Sequence, residues 1–219
     1  MKDSNNLDPL ATPDVQIDSL DKPLTVPLNG SPPIAAGELV EITAANYPVD
    51  IDLVYASADN LAGRPVYAAA RCALRPQAAA CLLKAAVAAQ RAGYRIKVFD
   101  AYRPPRAQRI FWALCPDPRY IADANLGSNH TRGTAVDVTL LDDKGVALDM
   151  GTGFDAMEDR SHHDRGDLPA AVQRNRSLLL GIMLRAGFRS INTEWWHYEL
   201  PDSKSYALLD DPIVTAVDK

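Results

Sequence analysis

The sequence predicts an α+β domain in which helices flank a central, mostly antiparallel sheet. Three observations carry that reading. Three stretches of helix length each open on proline, and two of them end at a glycine. Between the helices run short alternating segments rich in β-branched and aromatic residues, the period of a strand. A turn signal, Asp142-Asp143-Lys144-Gly145, folds one of these runs back as a hairpin. The 219 residues suit one domain with an extension, and a hydrophobic fraction of 47% suffices for a core.

Residues 1–37 are polar and carry Pro9, Pro13, Pro23, Pro27, Pro32 and Pro33. Proline fixes φ and removes donors, so this segment reads as an N-terminal extension, with the domain spanning 38–219. Leu39–Thr43 and Asp50–Tyr55 alternate as short strands. Pro76–Ala92 is the clearest helix, alanine-rich and stopped by Gly93, with Leu82, Leu83, Ala86 and Val87 as its apolar stripe. Tyr94–Phe99 alternates as a strand and delivers Asp100 and Arg103 to the loop at its end. Pro104 opens a second helix that Pro116 stops, and residues 117–129 form a polar loop.

Ala135–Leu140 is a β-branched strand ahead of the hairpin turn. Gly151–Asp167 is a long irregular stretch of the kind that carries function. Pro169–Ala186 is the third helix, with Val172, Leu179, Ile182, Met183 and Ala186 at helical spacing and Gly187 as its stop. Glu194–Tyr198 reads as a strand from its aromatic content.

Composition excludes some functions. A net charge of −5 without any basic cluster argues against nucleic acid or an anionic membrane as a partner. Cys72, Cys81 and Cys115 make an odd set without a Cys-x-x-Cys pair, which reads as reduced, buried thiols. The first residues lack an apolar signal-peptide core, and no stretch reaches the ~20 apolar residues of a membrane span. The expected setting is the cytoplasm, ahead of the periplasm. Oligomeric state is not legible.

The chemistry centres on Ser128-Asn-His130-Thr-Arg-Gly133-Thr-Ala-Val-Asp137. Glycine lets the backbone double back, so His130 at the loop end and Asp137 in the strand can converge. An imidazole and a carboxylate at one point are two-thirds of a catalytic zinc site, and His197 in Glu194-Trp-Trp-His197 is the candidate third ligand. Each piece alone has a plainer reading, as a hydrogen-bonded structural histidine, a locally paired aspartate and a core Trp-Trp. An acid inside Ala-Val-Asp-Val-Thr must nevertheless be paired or metal-bound if buried. His162 and His163 are the other histidines, better read as a polar loop. Glu194 is the candidate proton carrier for an attacking water. Positions three apart in a regular strand face opposite sides, so Glu194 must sit before the strand or at a bulge.

Ser-x-His-x-x-Gly-x-Ala-x-Asp followed by Glu-x-x-His resembles the zinc D-alanyl-D-alanine peptidases. The Glu-Trp-Trp-His-Tyr spelling is most similar to the D-alanyl-D-alanine dipeptidases of the vancomycin-resistance (VanX) type. The resemblance extends to Tyr55–Gly63, Asp100-Ala-Tyr-Arg103-Pro, Met150–Asp155 and Ser161-His-His, covering roughly residues 50 to 210.

The resemblance implies one zinc ion held by His130, Asp137 and His197, with Glu194 as general base. It implies that Arg103 faces the oxyanion, that Asp100 orients its guanidinium, and that Tyr55, Ser128 and Asp155 bind the substrate ammonium. Ser128 has an equal reading as a turn cap. The implied reaction is hydrolysis of the free dipeptide D-Ala-D-Ala, the dipeptide being the one partner expected. A D,D-carboxypeptidase or endopeptidase acting on peptidoglycan stems is an alternative, though such relatives carry Glu-Pro-Trp-His. A non-catalytic zinc-binding module is another, and it should lack the base or the arginine.

Overall fold

The computed structural model describes residues 39–209, so the extension expected over residues 1–37 lies outside the described residues. Its elements are β1 (Val40–Glu41), β2 (Val49–Ile51), β3 (Ala73–Leu74), α1 (Pro76–Arg91), β4 (Arg95–Asp100), α2 (Pro105–Leu114), β5 (Ala135–Leu141), α3 (Ala170–Ala186), β6 (Arg189–Ser190) and β7 (His197–Glu199). Strands order as β2-β4-β5-β7-β6 in a five-stranded sheet, with β1 and β3 paired apart from it. Within the larger sheet β2 runs parallel to β4, and the other neighbours are antiparallel. This is the expected α+β architecture.

α1 and α3 pack against each other, and α1 also rests on β4. The stripe read from the sequence needs correction. Ala78, Ala79, Leu82, Ala85, Ala86 and Ala89 are buried, whereas Leu83 and Val87 are only half-buried. The methyl-sized face brings the α1 backbone close to its neighbours, and the larger side chains fill the flanks. α3 buries all five of its expected apolar positions and ends at Gly187, whose φ of 110° suits only glycine.

Along β5 every residue is buried, as befits a central strand. Val136, Val138 and Leu140 join the main core with α1 and α3. The alternate positions Ala135, Asp137 and Thr139 point to the opposite face. There a second cluster of Tyr55, Val66, Tyr67, Ala107, Phe111 and Ile121 packs around α2.

Two expected strands are shorter than the sequence pattern suggests. Residues 54–56 form a 3-10 turn, so Tyr55 projects from a turn rather than from β2. Glu194–Trp196 lie in a turn, and pairing begins only at His197. Aromatic content mimicked a longer strand here, because both tryptophans are buried by packing rather than by a ladder. Only Cys72 of the three cysteines is buried, while Cys81 and Cys115 are half-buried; all are unbridged. No helix among the described residues is long and apolar enough to cross a membrane.

Candidate active site

Sheet register builds the centre of the site. Asp137 pairs with Asp100 of β4 on one side and with His197 of β7 on the other. Residues directly opposite in a ladder share a face, so the three side chains stand in a row. Simple alternation along β4 would send Asp100 into the core beside Ile96 and Val98. An irregularity between Val98 and Asp100 shifts the register by one residue and turns the carboxylate to the site.

His130 arrives from the preceding loop. The Ser128 hydroxyl accepts the His130 backbone N–H at 3.1 Å, and the His130 carbonyl accepts from Gly133. Gly133 has φ 72°, and a Cβ there would lie 2.7 Å from a Leu39 methyl, so the doubling back needs glycine. The capping role of Ser128 is thus present, and its side chain also borders the cavity.

Both imidazoles have one nitrogen committed elsewhere. His130 Nδ1 donates to the Ala101 carbonyl at 2.8 Å, since a carbonyl can only accept. His197 Nε2 lies 3.0 Å from Glu199 Oε2. Burial would raise the Glu199 carboxyl, but bonding to His197, Asn129 and Arg189 outweighs it and lowers the pKa to about 2. Glu199 is therefore the acceptor and His197 Nε2 the donor.

The remaining nitrogens, His130 Nε2 and His197 Nδ1, face each other at 3.1 Å. Asp137 meets them with Oδ2 at 3.3 Å and Oδ1 at 3.1 Å respectively. Lone pairs held that closely repel unless positive charge stands among them. The field is evident at His197, where burial disfavours the cation but Asp137 and Glu199 raise the pKa to about 10. His130 and His197 in turn pull Asp137 far below the ordinary carboxylate range in spite of its burial.

Zinc fits this donor set. Metal–nitrogen bonds of ~2.0–2.1 Å in a tetrahedron space the ligand atoms about 3.3 Å apart, close to the separations seen. Among the described residues, His130, Asp137 and His197 form the cluster that could hold a metal ion, and all three are buried. Neither His162 nor His163 belongs to it. The backbone N–H of His163 instead donates to the Asn192 carbonyl at 2.8 Å.

Glu194 sits before β7, as strand parity required, with Oε2 3.9 Å from His197 Nδ1. Burial raises its carboxyl to about 8, against the pull of His197. Its turn is pinned from the irregular 151–167 stretch. The Trp195 backbone N–H donates to the Ser161 carbonyl at 3.1 Å, and its indole N–H donates to Thr152 Oγ1 at 2.9 Å.

Arg103 enters from the loop after β4. Its Nε and Nη2 reach Asp100 Oδ2 at 3.0 Å and 2.9 Å, and Nη1 donates to Gln108 Oε1 at 3.1 Å. The guanidinium lies against the rings of Tyr55 and Phe111, and Nη2 approaches Asp137 Oδ2 at 3.7 Å. Across the cavity the Tyr55 hydroxyl donates to both oxygens of Asp155, at 3.0 Å and 2.8 Å. Asp155 holds a left-handed backbone with φ 58°, a conformation aspartate tolerates better than most residues. Arg103, Tyr55, Phe111, Asp137, Asp155 and Glu194 border a cavity of about 190 Å³, small beside the ~300–1,000 Å³ of sites for drug-sized ligands.

The family model described as D-ala-D-ala dipeptidase matches residues 35–218. The chain belongs to the D-ala-D-ala dipeptidase family. A D-alanyl-D-alanine dipeptidase of Escherichia coli (strain K12) is 49% identical over 174 residues, 80% of this chain and 90% of its own. That of Enterococcus faecium is 36% identical over 175 residues, and that of Streptomyces coelicolor 38% over 172, each match covering 69% of this chain and 85% of the relative. A solved vancomycin-resistance D,D-pentapeptidase in complex with Zn(II) overlays at TM-score 0.40 and 14% identity, covering 63% of this chain and 78% of its own. That likeness is too faint to inform the site.

Sequence reasoning brought His130, Asp137, His197, Glu194, Arg103, Asp100, Tyr55, Ser128 and Asp155 to this cavity or its immediate border. It gave no role to Glu199, which ties the His197 ring to Asn129 at 2.6 Å beside His130, and to Arg189. The two-residue spacing from His197 along a strand was the available signal, since it puts both side chains on one face. Gln108 and Tyr67, whose hydroxyl donates to Asp100, were also missed. Gln108 follows the Asp100-Ala-Tyr-Arg103-Pro motif by four residues and Tyr67 lies outside every motif, and neither carries a recognisable pattern.

Proposed function

We propose that this protein hydrolyses the free dipeptide D-Ala-D-Ala to two molecules of D-alanine, using one zinc ion. The observation that carries the reading is the convergence of His130 Nε2, His197 Nδ1 and Asp137 at the border of a small cavity, with Glu194 and Arg103 beside them. Membership of the family, and the names of the relatives, support the substrate class.

His130, Asp137 and His197 would hold the zinc, which would supply a Lewis acid for the scissile carbonyl and for water. Glu194 takes the proton of the attacking water and returns it to the leaving amine, the work of a general acid–base. Arg103, held by Asp100, faces the oxygen that becomes negative in the tetrahedral state. Asp155 and Tyr55 receive the substrate ammonium, and Ser128 adds a hydroxyl at the cavity edge while capping the His130 turn. Trp195 and Trp196 exclude water behind the Glu194 turn.

In this reading residues 38–219 form the catalytic domain and 1–37 an appended segment, in keeping with a family match that begins at residue 35. The cytoplasmic setting belongs to the same proposal and is checked by cell fractionation.

The test is a panel assayed with zinc-loaded protein: free D-Ala-D-Ala, L-Ala-L-Ala, a tripeptide and a muramyl pentapeptide. Turnover confined to the D,D-dipeptide is expected. Faster turnover of the pentapeptide would transfer the assignment to a carboxypeptidase, and failure on every substrate would favour a zinc-binding module without catalysis.

A further inference from the structure

The geometry points to Gln108 as a positioning residue that sets the plane of the Arg103 guanidinium. The inference rests on the reading of Arg103 as the cation facing the oxyanion.

An arginine head can pivot about its last bonds, and a pivot of ~1 Å at a reacting centre is enough to cost about 10²-fold. Asp100 alone does not prevent it. Nε and Nη2 converge on a single oxygen, Asp100 Oδ2, so that contact acts as a hinge rather than a fork. The other oxygen, Oδ1, is occupied by the Tyr67 hydroxyl. A second fixed point is needed on the far side of the head, and Gln108 Oε1 provides it by accepting from Nη1 at 3.1 Å.

Gln108 is itself immobilised. It projects from α2, is 2% exposed, and its Nε2 donates to the Ala122 carbonyl at 2.7 Å. Each neighbour fixes the amide the same way round. Guanidinium can only donate and a carbonyl can only accept, so oxygen faces Arg103 and nitrogen faces Ala122. The choice of a neutral acceptor also matters. Asp100 and Asp137 already crowd the guanidinium, and a third carboxylate would weaken the positive field it turns to the cavity. The Ala122 bond adds a link to the loop bordering the cavity, so the head is registered against both α2 and that loop.

The test is a double-mutant cycle on zinc-loaded protein with free D-Ala-D-Ala. Gln108→Met keeps the volume but removes both hydrogen bonds. It should lower kcat about tenfold, a fraction of what full misplacement costs, with KM and bound zinc unchanged. Combined with Arg103→Ala it should lower kcat no further than Arg103→Ala alone, because no head remains to be aimed. Additive losses would overturn the inference and leave Gln108 a structural residue of α2. If Arg103→Ala itself leaves kcat intact, the Arg103 reading fails instead, a distinct outcome. Melting temperature is followed throughout. Should Gln108→Met not fold, Gln108→Asn takes its place, since it keeps an amide but withdraws its oxygen from Nη1 by one methylene.

Discussion

The site is made of two halves that are held in different ways. Asp100, Asp137, His197 and Glu199 stand on strands, and sheet register places them. Tyr55, Ser128, His130, Asp155 and Glu194 stand on turns, and hydrogen bonds between distant segments place them. A strand-borne side chain inherits its position from the whole ladder, so it suits atoms that must agree to tenths of an ångström. A turn-borne side chain depends on one or two local contacts, so it suits groups that select a substrate or carry a proton. In the proposed mechanism, two of the metal ligands stand on the ladder and the groups that meet the substrate stand on turns. His130 is the exception, and its turn is correspondingly over-determined by Ser128, Gly133 and the Ala101 carbonyl.

Ligand loss should be complete rather than graded. His197→Ala or His130→Ala should abolish both bound zinc and turnover, because two protein ligands do not hold an open three-ligand site. Elemental analysis after dialysis decides it, and stoichiometric zinc in either variant would remove that residue from the ligand set. Glu194→Gln sharpens the contrast. It should retain zinc while losing ~10²–10⁴-fold in turnover, the scale of general acid–base catalysis. Loss of zinc in Glu194→Gln would make the turn part of the metal-holding half.

Arg103 bridges the halves, anchored to a strand carboxylate while reaching the turn-borne Tyr55. Arg103→Ala should lower kcat about 10²–10³-fold, the range for an oxyanion donor, with little change in KM. Lysine should rescue only partly, since it keeps the charge but not the planar head. A raised KM at constant kcat would instead assign Arg103 to binding the substrate carboxylate in the ground state.

The same division explains what was legible in the sequence. The Asp137 strand, α1 and α3 announce themselves through periodicity, and the metal ligands through residue type and spacing. Parity alone showed that Glu194 could not belong to a regular strand with His197. The β4 irregularity that re-aims Asp100 left little trace beyond the step Val98-Phe99-Asp100, where the polar–apolar alternation of Arg95–Val98 breaks. Gln108 left none, since its role arises only when α2 folds under the loop carrying Ala122. Long-range contacts between turns write nothing periodic into a sequence, so the strand-borne half is readable and much of the turn-borne half is not.

Asp155 gives the smallest and most discriminating test of the turn-borne half. Burial raises its carboxyl to about 7; Asp137 and Asp100 add to this, while Arg103 and the Tyr55 hydrogen bond oppose it. A carboxyl raised above its ordinary value of ~3.9 stabilises the fold most where it is protonated. That contribution is present at low pH and is lost as pH rises through about 7. Binding runs the other way. A substrate ammonium needs the carboxylate, so KM for free dipeptide should climb as pH falls below about 7. Asp155→Asn removes both dependences at once. It should raise KM roughly tenfold between about 7 and the ~7.7–8.0 where an α-amine loses its proton, and the gap from wild type should close as pH falls below about 7. Its melting temperature should decline less with rising pH than that of wild type. The Asp155 charge also helps to raise the Glu194 carboxyl, so KM, which reports ammonium binding, is read apart from kcat. A KM ratio that stays constant across the titration would mean that Asp155 shapes its loop and never meets the ammonium.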